Sequence, residues 1–118
     1  MCGIAGRYNY DPLHPVDRNV LEAMTDAIAH RGPDAAGFHF APGIGLGHRR
    51  LSIIDLSTGD QPLANEDGTV WTVFNGEIYN FAEVRAELSA RGHRFRTSSD
   101  TEIIVHGYEE WGERCVER

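Results

Sequence analysis

Residues 38–54 (FHFAPGIGLGHRRLSII) hold the pattern that decides the fold. Phe38 and Phe40 alternate with polar or small neighbours, as the residues of a half-buried strand do. Residues 44–54 show a second strand pattern after the punctuating pair Pro42-Gly43. The sequence therefore predicts two adjacent antiparallel strands.

A strand and a helix are predicted before this pair. Residues 3–8 (GIAGRY) form the strand, and the helix covers about residues 17–30, with Asp17 as its N-terminal cap and Gly32-Pro33 as its stop. Apolar residues at helical spacing predict the buried face of this helix: Leu21, Met24 and Ile28.

Further strands and helices are predicted in the second half of the chain. The strands are residues 69–74 (TVWTVF) and 93–97 (HRFRT), both from their alternation. One helix starts at the capping box NFAE of residues 80–83 and continues to Gly92, and another opens at residues 99–102. The expected buried faces are Val84 and Leu88 in the first helix, and Ile104, Tyr108 and Trp111 in the second. This order of helices and antiparallel strands predicts an α+β fold.

Length and charge limit the classes of function. The 118 residues are enough for one domain, and 18 acidic against 11 basic residues give a formal charge of -7 without a Lys/Arg cluster. Nucleic acid and membranes are therefore not expected partners. Because the N-terminus has neither a basic leader nor a long apolar run, the sequence predicts a cytoplasmic protein.

The cysteines and histidines show no metal-binding pattern. Cys2 and Cys115 stand near opposite ends of the chain, and no CxxC or regular Cys/His spacing occurs. The sequence therefore predicts neither a disulfide framework nor a metal site. Cys115 is expected to pack as a small apolar residue in a helical segment.

Residues 74–80 (FNGEIYN) have two interpretations. An Asn-Gly pair after an alternating run is a strong hairpin signal, because both residues tolerate positive φ. A helix that begins at Asn80, however, leaves only residues 77–79 for the returning strand. The pair Asn75-Gly76 therefore either turns a hairpin or holds a ligand.

Cys2 follows the initiator Met1, and its small side chain is compatible with removal of that methionine. The processed chain would then carry a thiol nucleophile and a free α-amino group on one residue. An α-amino group, with an ordinary pKa of about 7.7–8.0, suits proton shuttling near neutral pH. Taken alone, a cysteine at this position is more often an incidental small apolar residue.

Six segments, in the same order, resemble the glutaminase domain of the class II glutamine amidotransferases, and most closely that of the glutamine-dependent asparagine synthetases. They are MCGIAG at 1–6, HRGPD at 30–34, GHRRLSIIDLS at 47–57, QPL at 61–63, FNGEIYN at 74–80 and SSDTE at 98–102. The resemblance covers essentially the whole chain. It implies an N-terminal-nucleophile hydrolase fold with two packed antiparallel sheets flanked by helices (αββα).

The resemblance implies a reaction and the residues that carry it out. Processed Cys2 would attack the side-chain amide of L-glutamine, giving a thioester and ammonia, and water would then release glutamate. The Asn75 side chain and the Gly76 N–H would form the oxyanion hole, where one well-placed donor contributes roughly 2.7–4 kcal/mol. This reaction would need no metal or other cofactor.

The resemblance also implies how glutamine is bound. Arg50 would pair with the α-carboxylate, and Asp100 and Glu77 would bind the α-ammonium and orient the amide. Backbone contacts would come from Leu51, Ser52, Ile53 and Ile54. Taken singly, each position has a simpler interpretation: Arg49 and Arg50 as an exposed strand pair, Asp100 as a helix cap, and Glu77 as a surface charge.

Other matching residues are expected to be structural. His30, Arg31 and Asp34 fall in a predicted helix end and tight turn. His48 is expected to face the opposite side of the strand from the arginines that follow it. Neither histidine is expected to be catalytic.

Complete relatives continue with further strands and an ATP-dependent synthetase domain. The chain stops at residues 113–118 (ERCVER) in mid-pattern, so we expect residues 1–118 to be the N-terminal portion of a glutaminase domain, without its synthetase domain. ATP and Mg would belong to that absent domain, where ammonia would convert aspartate to asparagine. Exposed sheet edges would favour association of the chain, including as a homo-oligomer.

Other functions stay open on sequence alone. A non-catalytic glutamine-binding or interaction module would keep the pocket without turnover, and a related amidotransferase would use an acceptor other than aspartate. A thiol redox function has little support, because Cys2 and Cys115 lack a paired spacing.

Overall fold

The computed structural model describes residues 1–52 and 59–118. They divide into two compact units, of which the first contains residues 1–52, 60–62 and 73–75 and the second contains the others. Each unit has its own antiparallel sheet, and among the described residues the first unit contains one α-helix and the second contains two. The predicted α+β class is therefore confirmed.

The sheet of the first unit has three strands, β1 (Gly3–Tyr8), β2 (Ala35–Ala41) and β3 (Ile44–Arg50). Their order is β1-β3-β2, and both neighbouring pairs are antiparallel. The predicted bounds of β1 and the predicted antiparallel pair are confirmed. β3 ends at Arg50, and the predicted continuation to Ile53 and Ile54 lies outside the described residues.

Helix α1 (Arg18–Ala27) is followed by a short 3₁₀ helix, Ala29–Arg31. The Asp17 carboxylate accepts a hydrogen bond from the N–H of Asn19 at 2.9 Å, which confirms the predicted cap. The buried face differs from the predicted one, because Thr25 is buried while Met24 is 39% exposed. Burial of Thr25 costs little, since its hydroxyl donates to the Leu21 carbonyl at 2.8 Å.

Two glycines on one face of β3 allow α1 to lie against the sheet. A Cβ atom on Gly45 would come within 2.9 Å of Leu21 Cδ2, and one on Gly47 would collide with the Thr25 hydroxyl. Residues two apart in a strand point to the same side, so Gly45 and Gly47 together leave a channel for the helix.

The second unit contains a short hairpin and two helices. The hairpin strands are β4 (Leu63–Ala64) and β5 (Trp71–Thr72), so only two residues of the strand predicted at 69–74 form a ladder. The helices are α2 (Phe81–Ala90) and α3 (Glu102–Trp111), and a 3₁₀ helix, Gly112–Glu117, follows. No helix of the described chain is long and apolar enough to cross a membrane.

The core of the second unit lies between α2 and α3. Val84 and Leu88 are buried against Ile103, which confirms the predicted face of α2. α2 begins directly after Asn80 as predicted, but the Asn80 side chain makes no capping hydrogen bond. The side-chain Nδ2 of Asn80 instead donates to the Arg118 carbonyl at 3.1 Å, so the predicted capping box is wrong.

Residues 93–97, predicted as a strand, are irregular. Their backbone N–H groups donate to carboxylates rather than to a neighbouring strand. The Arg94 N–H donates to Glu66 at 2.8 Å, and those of Arg96 and Thr97 donate to Glu102, each at 2.7 Å. Carboxylate side chains from elsewhere in the unit therefore satisfy these backbone N–H groups in place of a neighbouring strand.

The buried face of α3 is more polar than predicted. Tyr108 is 46% exposed, whereas Glu102 and His106 are almost completely buried. The apolar pattern did not predict this face because Glu102 can be buried at little cost. Its carboxylate accepts backbone hydrogen bonds and faces the His106 ring, so protein groups replace the water that would otherwise solvate its charge.

Candidate active site

Cys2 is held where β1 begins. The next residue, Gly3, pairs with Arg49 of β3, so Cys2 lies level with Arg50. Arg31 donates through Nε to the Cys2 carbonyl at 3.0 Å, and the N–H of Leu51 donates to the Cys2 sulfur at 3.4 Å. The partly buried cysteine is thus fixed through both its backbone and its sulfur, with a donor placed to stabilise negative charge on sulfur.

The HRGPD segment fixes the strand end that faces Cys2. The Asp34 N–H donates to the Arg50 carbonyl at 3.1 Å, and the Asp34 carboxylate accepts from the N–H of Ser52 at 2.7 Å. Gly32 allows this approach, because a Cβ there would collide with the Arg49 carbonyl. These contacts agree with the structural role expected of the segment.

The face of β3 away from α1 borders a cavity of about 190 Å³. It is lined by Ala35, Ala36, Gly37, His48, Arg50, Asp60 and Gln61. His48 and Arg50 share this face because they are two residues apart, so the expectation that His48 faces away from both arginines is wrong. The volume is below the roughly 300–1,000 Å³ of drug-sized pockets and suits a small ligand.

Arg50 brings a partly buried positive charge to the cavity. Its side chain is only 12% exposed and pairs through Nη1 with Asp60 at 2.6 Å, whereas the Asp60 side chain is 89% exposed. The Arg49 side chain is 17% exposed, so the interpretation of Arg49 and Arg50 as an exposed pair is wrong. A partly buried guanidinium beside a small cavity is suited to binding a carboxylate.

His48 is the most buried titratable group of this face, with 1% exposure. Burial lowers the pKa of His48, the charge of Arg50 lowers it further, and the charge of Asp60 opposes both effects. The imidazole is therefore uncharged at neutral pH. Its Nε2 has no hydrogen-bond partner among the residues that the structure describes.

The Asn75-Gly76 pair does not turn a hairpin. Neither residue has a positive φ, which both types of two-residue hairpin turn require, and residues 73–80 contain no strand. Instead, the Phe74 N–H donates to the Gln61 side chain at 2.6 Å, which fixes the chain just before Asn75. The hairpin interpretation is wrong, and the ligand-binding role stays a prediction.

Asp100 holds the other end of the FNGEIYN segment. In the second unit, its carboxylate accepts a hydrogen bond from the N–H of Ile78 at 2.9 Å. No side-chain cap occurs at Thr101, which precedes α3, so Asp100 is not a helix cap. Gly76 and Glu77, just before Ile78, are exposed.

The described candidate residues form two groups. The first unit contains Cys2, Arg50, Leu51, Ser52 and Asn75, and the second contains Gly76, Glu77 and Asp100. Ile53 and Ile54, for which backbone contacts are expected, lie outside the described residues.

Three residues of the first unit were not anticipated as part of the site: His48, Asp60 and Gln61. The two-residue period of β3 could have placed His48 beside Arg50. The QPL segment, which begins at Gln61, was noted only as part of the matching pattern. Asp60 is exposed and charged, and no local signal distinguishes it from other surface carboxylates.

The chain has an α+β fold, and its second residue is a cysteine fixed at a strand end. Its fold class is that of the N-terminal-nucleophile hydrolases. Within this class, the chain belongs to the glutamine amidotransferase domain family, which matches residues 1–118.

Relatives of known name support this membership. The asparagine synthetase [glutamine-hydrolyzing] 1 of Bacillus subtilis (strain 168) is 44% identical over 120 residues, which cover 100% of this chain and 19% of that protein. The second Bacillus subtilis enzyme of this name is 46% identical over 95% of this chain and 15% of its own length. The Zea mays enzyme is 44% identical over 99% and 20%, respectively. The chain spans about a fifth or less of the length of these relatives.

Proposed function

We propose that the chain hydrolyses L-glutamine to glutamate and ammonia, with Cys2 as the nucleophile after removal of Met1. The observation that carries this proposal is the Leu51 N–H at 3.4 Å from the Cys2 sulfur, one residue beyond Arg50. This arrangement combines a fixed thiol, a donor that stabilises negative charge on sulfur, and the partly buried Arg50 guanidinium next in the chain.

Removal of Met1 prepares the nucleophile in this proposal. Met1 is 75% exposed, so a processing enzyme could reach it. The new α-amino group of Cys2 takes the thiol proton, and the sulfur attacks the amide carbon, forming a C–S bond and moving an electron pair to the amide oxygen. The Asn75 side chain and the Gly76 N–H would stabilise this oxyanion.

Two further steps complete the turnover. The C–N bond breaks, and the amine-held proton goes to the departing nitrogen, which leaves as ammonia. Water then adds to the thioester carbon while the α-amino group takes one of its protons. The C–S bond breaks, that proton returns to the sulfur, and the products are glutamate and the regenerated cysteine. These steps need no redox partner, metal or other cofactor.

Substrate recognition would rest on charge. Arg50 would bind the α-carboxylate, while Asp100 and Glu77 would bind the α-ammonium and orient the amide. Backbone groups of Leu51 and Ser52 would add contacts, as would those of Ile53 and Ile54. Support comes from the partly buried Arg50 side chain beside the cavity and from the hydrogen bond that Asp100 accepts from Ile78.

Labelling of the cysteine tests this function. We would measure the intact mass of the purified chain before and after incubation with diazo-oxo-norleucine, a glutamine analogue that alkylates nucleophiles. We expect a mass without Met1 and a single adduct, which Cys2→Ala abolishes and the matched control Cys115→Ala retains. An adduct that persists in Cys2→Ala, or glutamine binding without glutamate release, would reject the proposal and identify a binding module.

In a longer protein, we propose that the ammonia serves ATP-dependent synthesis of asparagine from aspartate. Its support is the name shared by the relatives, glutamine-hydrolyzing asparagine synthetase. ATP and Mg would bind the synthetase domain of that protein rather than residues 1–118. Aspartate conversion by the full-length gene product is the test, and amidation of another acid with none of aspartate would contradict this role while leaving the glutaminase proposal intact.

A further inference from the structure

Four potential metal ligands come together in the second unit. They are Glu66, after β4, His93, between α2 and α3, and His106 and Glu109, both on α3. One donor atom from each lies within 4.8 Å of all the others. We propose that these residues bind one divalent transition-metal ion of the zinc type, in a site that the sequence did not predict and that the glutaminase reaction does not use.

The donor distances suit tetrahedral coordination. Zinc binds imidazole nitrogen and carboxylate oxygen at about 2.0–2.2 Å, which in tetrahedral geometry places neighbouring donors roughly 3.3–3.6 Å apart. Glu109 Oε2 lies 3.3 Å from His106 Nδ1 and 3.6 Å from His93 Nδ1. Glu66 Oε2 lies 3.8 Å from His106 Nδ1. Small side-chain movements would therefore bring all four donors to one ion.

Both imidazoles are oriented from their other ring nitrogen. His93 Nε2 lies 3.1 Å from Glu110 Oε2, and His106 Nε2 lies 3.4 Å from Glu102 Oε1. A proton held on each Nε2 by its carboxylate leaves the Nδ1 lone pair directed into the cluster. Histidines that bind zinc are oriented in the same way, by a carboxylate on the distal nitrogen.

The two carboxylate ligands are also held through their other oxygen. Glu66 Oε1 accepts from the Arg94 N–H at 2.8 Å, and Glu109 Oε1 accepts from the Asn65 side chain at 2.7 Å. In both residues Oε2 remains directed at the histidines. Each of the four ligands is thus fixed by a partner outside the set, which is the arrangement of a preorganised site rather than of a surface charge cluster.

The charge of the cluster favours a cation. Four carboxylates contact the two imidazoles: Glu66, Glu102, Glu109 and Glu110. Arg91 offsets one of them, since it binds Glu110 Oε1 at 2.7 Å. With neutral imidazoles, a divalent ion would neutralise much of the remaining charge. The competing arrangement is a metal-free network with protonated histidines.

The ligand types favour zinc over magnesium or calcium. A set of two nitrogens and two oxygens suits zinc, whereas the hard cations require oxygen ligands throughout. Four protein ligands, one of them the buried His106, leave no coordination position for a substrate, so the ion would have a structural role. It would join the β4–β5 hairpin loop, the segment after α2, and α3.

Calorimetric titration tests the site directly. The full chain, stripped with a chelator, is titrated with zinc sulfate and separately with magnesium chloride. We expect one equivalent of zinc and no magnesium binding. His93→Gln and Glu66→Gln should each weaken zinc binding more than the roughly 10- to 100-fold typical of losing an outer partner. Because the Glu66 side chain is 40% exposed, Glu66→Gln should still fold, and it tests the site if His93→Gln does not fold.

Two controls separate the site from general histidine binding. His14→Gln removes a histidine–carboxylate pair of the first unit, with Asp11 at 2.8 Å, and should leave the affinity unchanged. Glu110→Gln should weaken zinc binding roughly 10- to 100-fold, beyond any effect that loss of its Arg91 pair has on the metal-free chain, a result that a purely structural Glu110 would not give. Zinc affinity that is absent, or equal in wild type, Glu66→Gln and His14→Gln, would overturn the proposal.

Discussion

Arg49 and Arg50 follow each other in β3 and lie on opposite faces of its sheet. Arg49 donates to the Thr25 carbonyl at 3.3 Å and pairs with Asp26 on α1, whereas Arg50 lines the cavity and pairs with Asp60. One arginine therefore fixes a helix to the sheet, and the next lies beside the cavity. The strand period alone separates the two roles.

Lysine substitutions should distinguish these arginines. Because lysine lacks the planar fork that binds both carboxylate oxygens, we expect Arg50→Lys to raise the KM for glutamine roughly 10- to 100-fold with little change in kcat. Arg49→Lys, the matched control, should lower the denaturation midpoint and leave KM unchanged. Steady-state glutaminase kinetics provide the measurement, and equal KM values for both variants would remove Arg50 from substrate binding.

Asp100 can be tested with a variant that keeps its hydrogen bond. Asp100→Asn retains an oxygen that can accept from the Ile78 N–H but loses the charge proposed to bind the α-ammonium. We expect KM to rise about tenfold or more while the free energy of unfolding changes by less than about 0.5 kcal/mol. Asp100→Ala should lower both affinity and stability. An unchanged KM in Asp100→Asn would leave Asp100 with a positioning role only.

The packing of α1 on β3 predicts opposite results for two glycine substitutions. Gly47→Ala should destabilise the chain by about 1–3 kcal/mol, because the new methyl group collides with the Thr25 hydroxyl. Gly6→Ala in β1 places its methyl 3.6 Å from the Gly45 carbonyl oxygen, an ordinary contact, and should be neutral or slightly stabilising. Urea midpoints at constant slope measure both. Equal midpoints would mean that the helix does not depend on this close approach.

Burial of His48 should make stability depend on pH. Its pKa is lowered first by burial and then by the Arg50 charge, against the effect of Asp60, so the unfolded chain takes up this proton more readily than the folded one. The contribution to the free energy of unfolding is constant above the ordinary histidine pKa of about 6.5 and decreases as the pH falls from there towards the folded value.

His48→Gln removes this contribution. The urea midpoint of wild type minus that of His48→Gln should be constant above about pH 6.5. Below that pH the difference should decrease, because wild type loses stability as the pH falls and His48→Gln lacks this loss. A wild-type to His48→Gln difference that stays constant across this range would show that His48 keeps an ordinary pKa.

Local patterns predicted most elements but not the partners of the polar groups. The bounds of β1, the Asp17 cap and the apolar face of α2 follow from neighbouring residues, so sequence was sufficient for them. The strand predicted at residues 93–97 failed because Glu66 and Glu102 receive its backbone hydrogen bonds. Nothing within the five residues reveals those acceptors.

The same distinction holds for the two candidate sites. The family resemblance named Cys2 and Arg50, and the structure places them level at the ends of adjacent strands. The metal cluster was missed because its ligands come from three separate segments. The spacing of His106 and Glu109, three residues apart on α3, was its only local signal, and that spacing is common on helices.

The anchoring of the chain start restricts how this domain can be joined to others. Arg31 holds the Cys2 carbonyl and Leu51 holds its sulfur, so the first residues cannot slide along the sheet. The amine required by the proposed reaction exists only at a free terminus. A partner fused ahead of Met1 would leave the hydrogen bonds intact and remove the base. Under the proposed reaction, an added domain or an affinity tag therefore belongs at the C-terminal end of these residues.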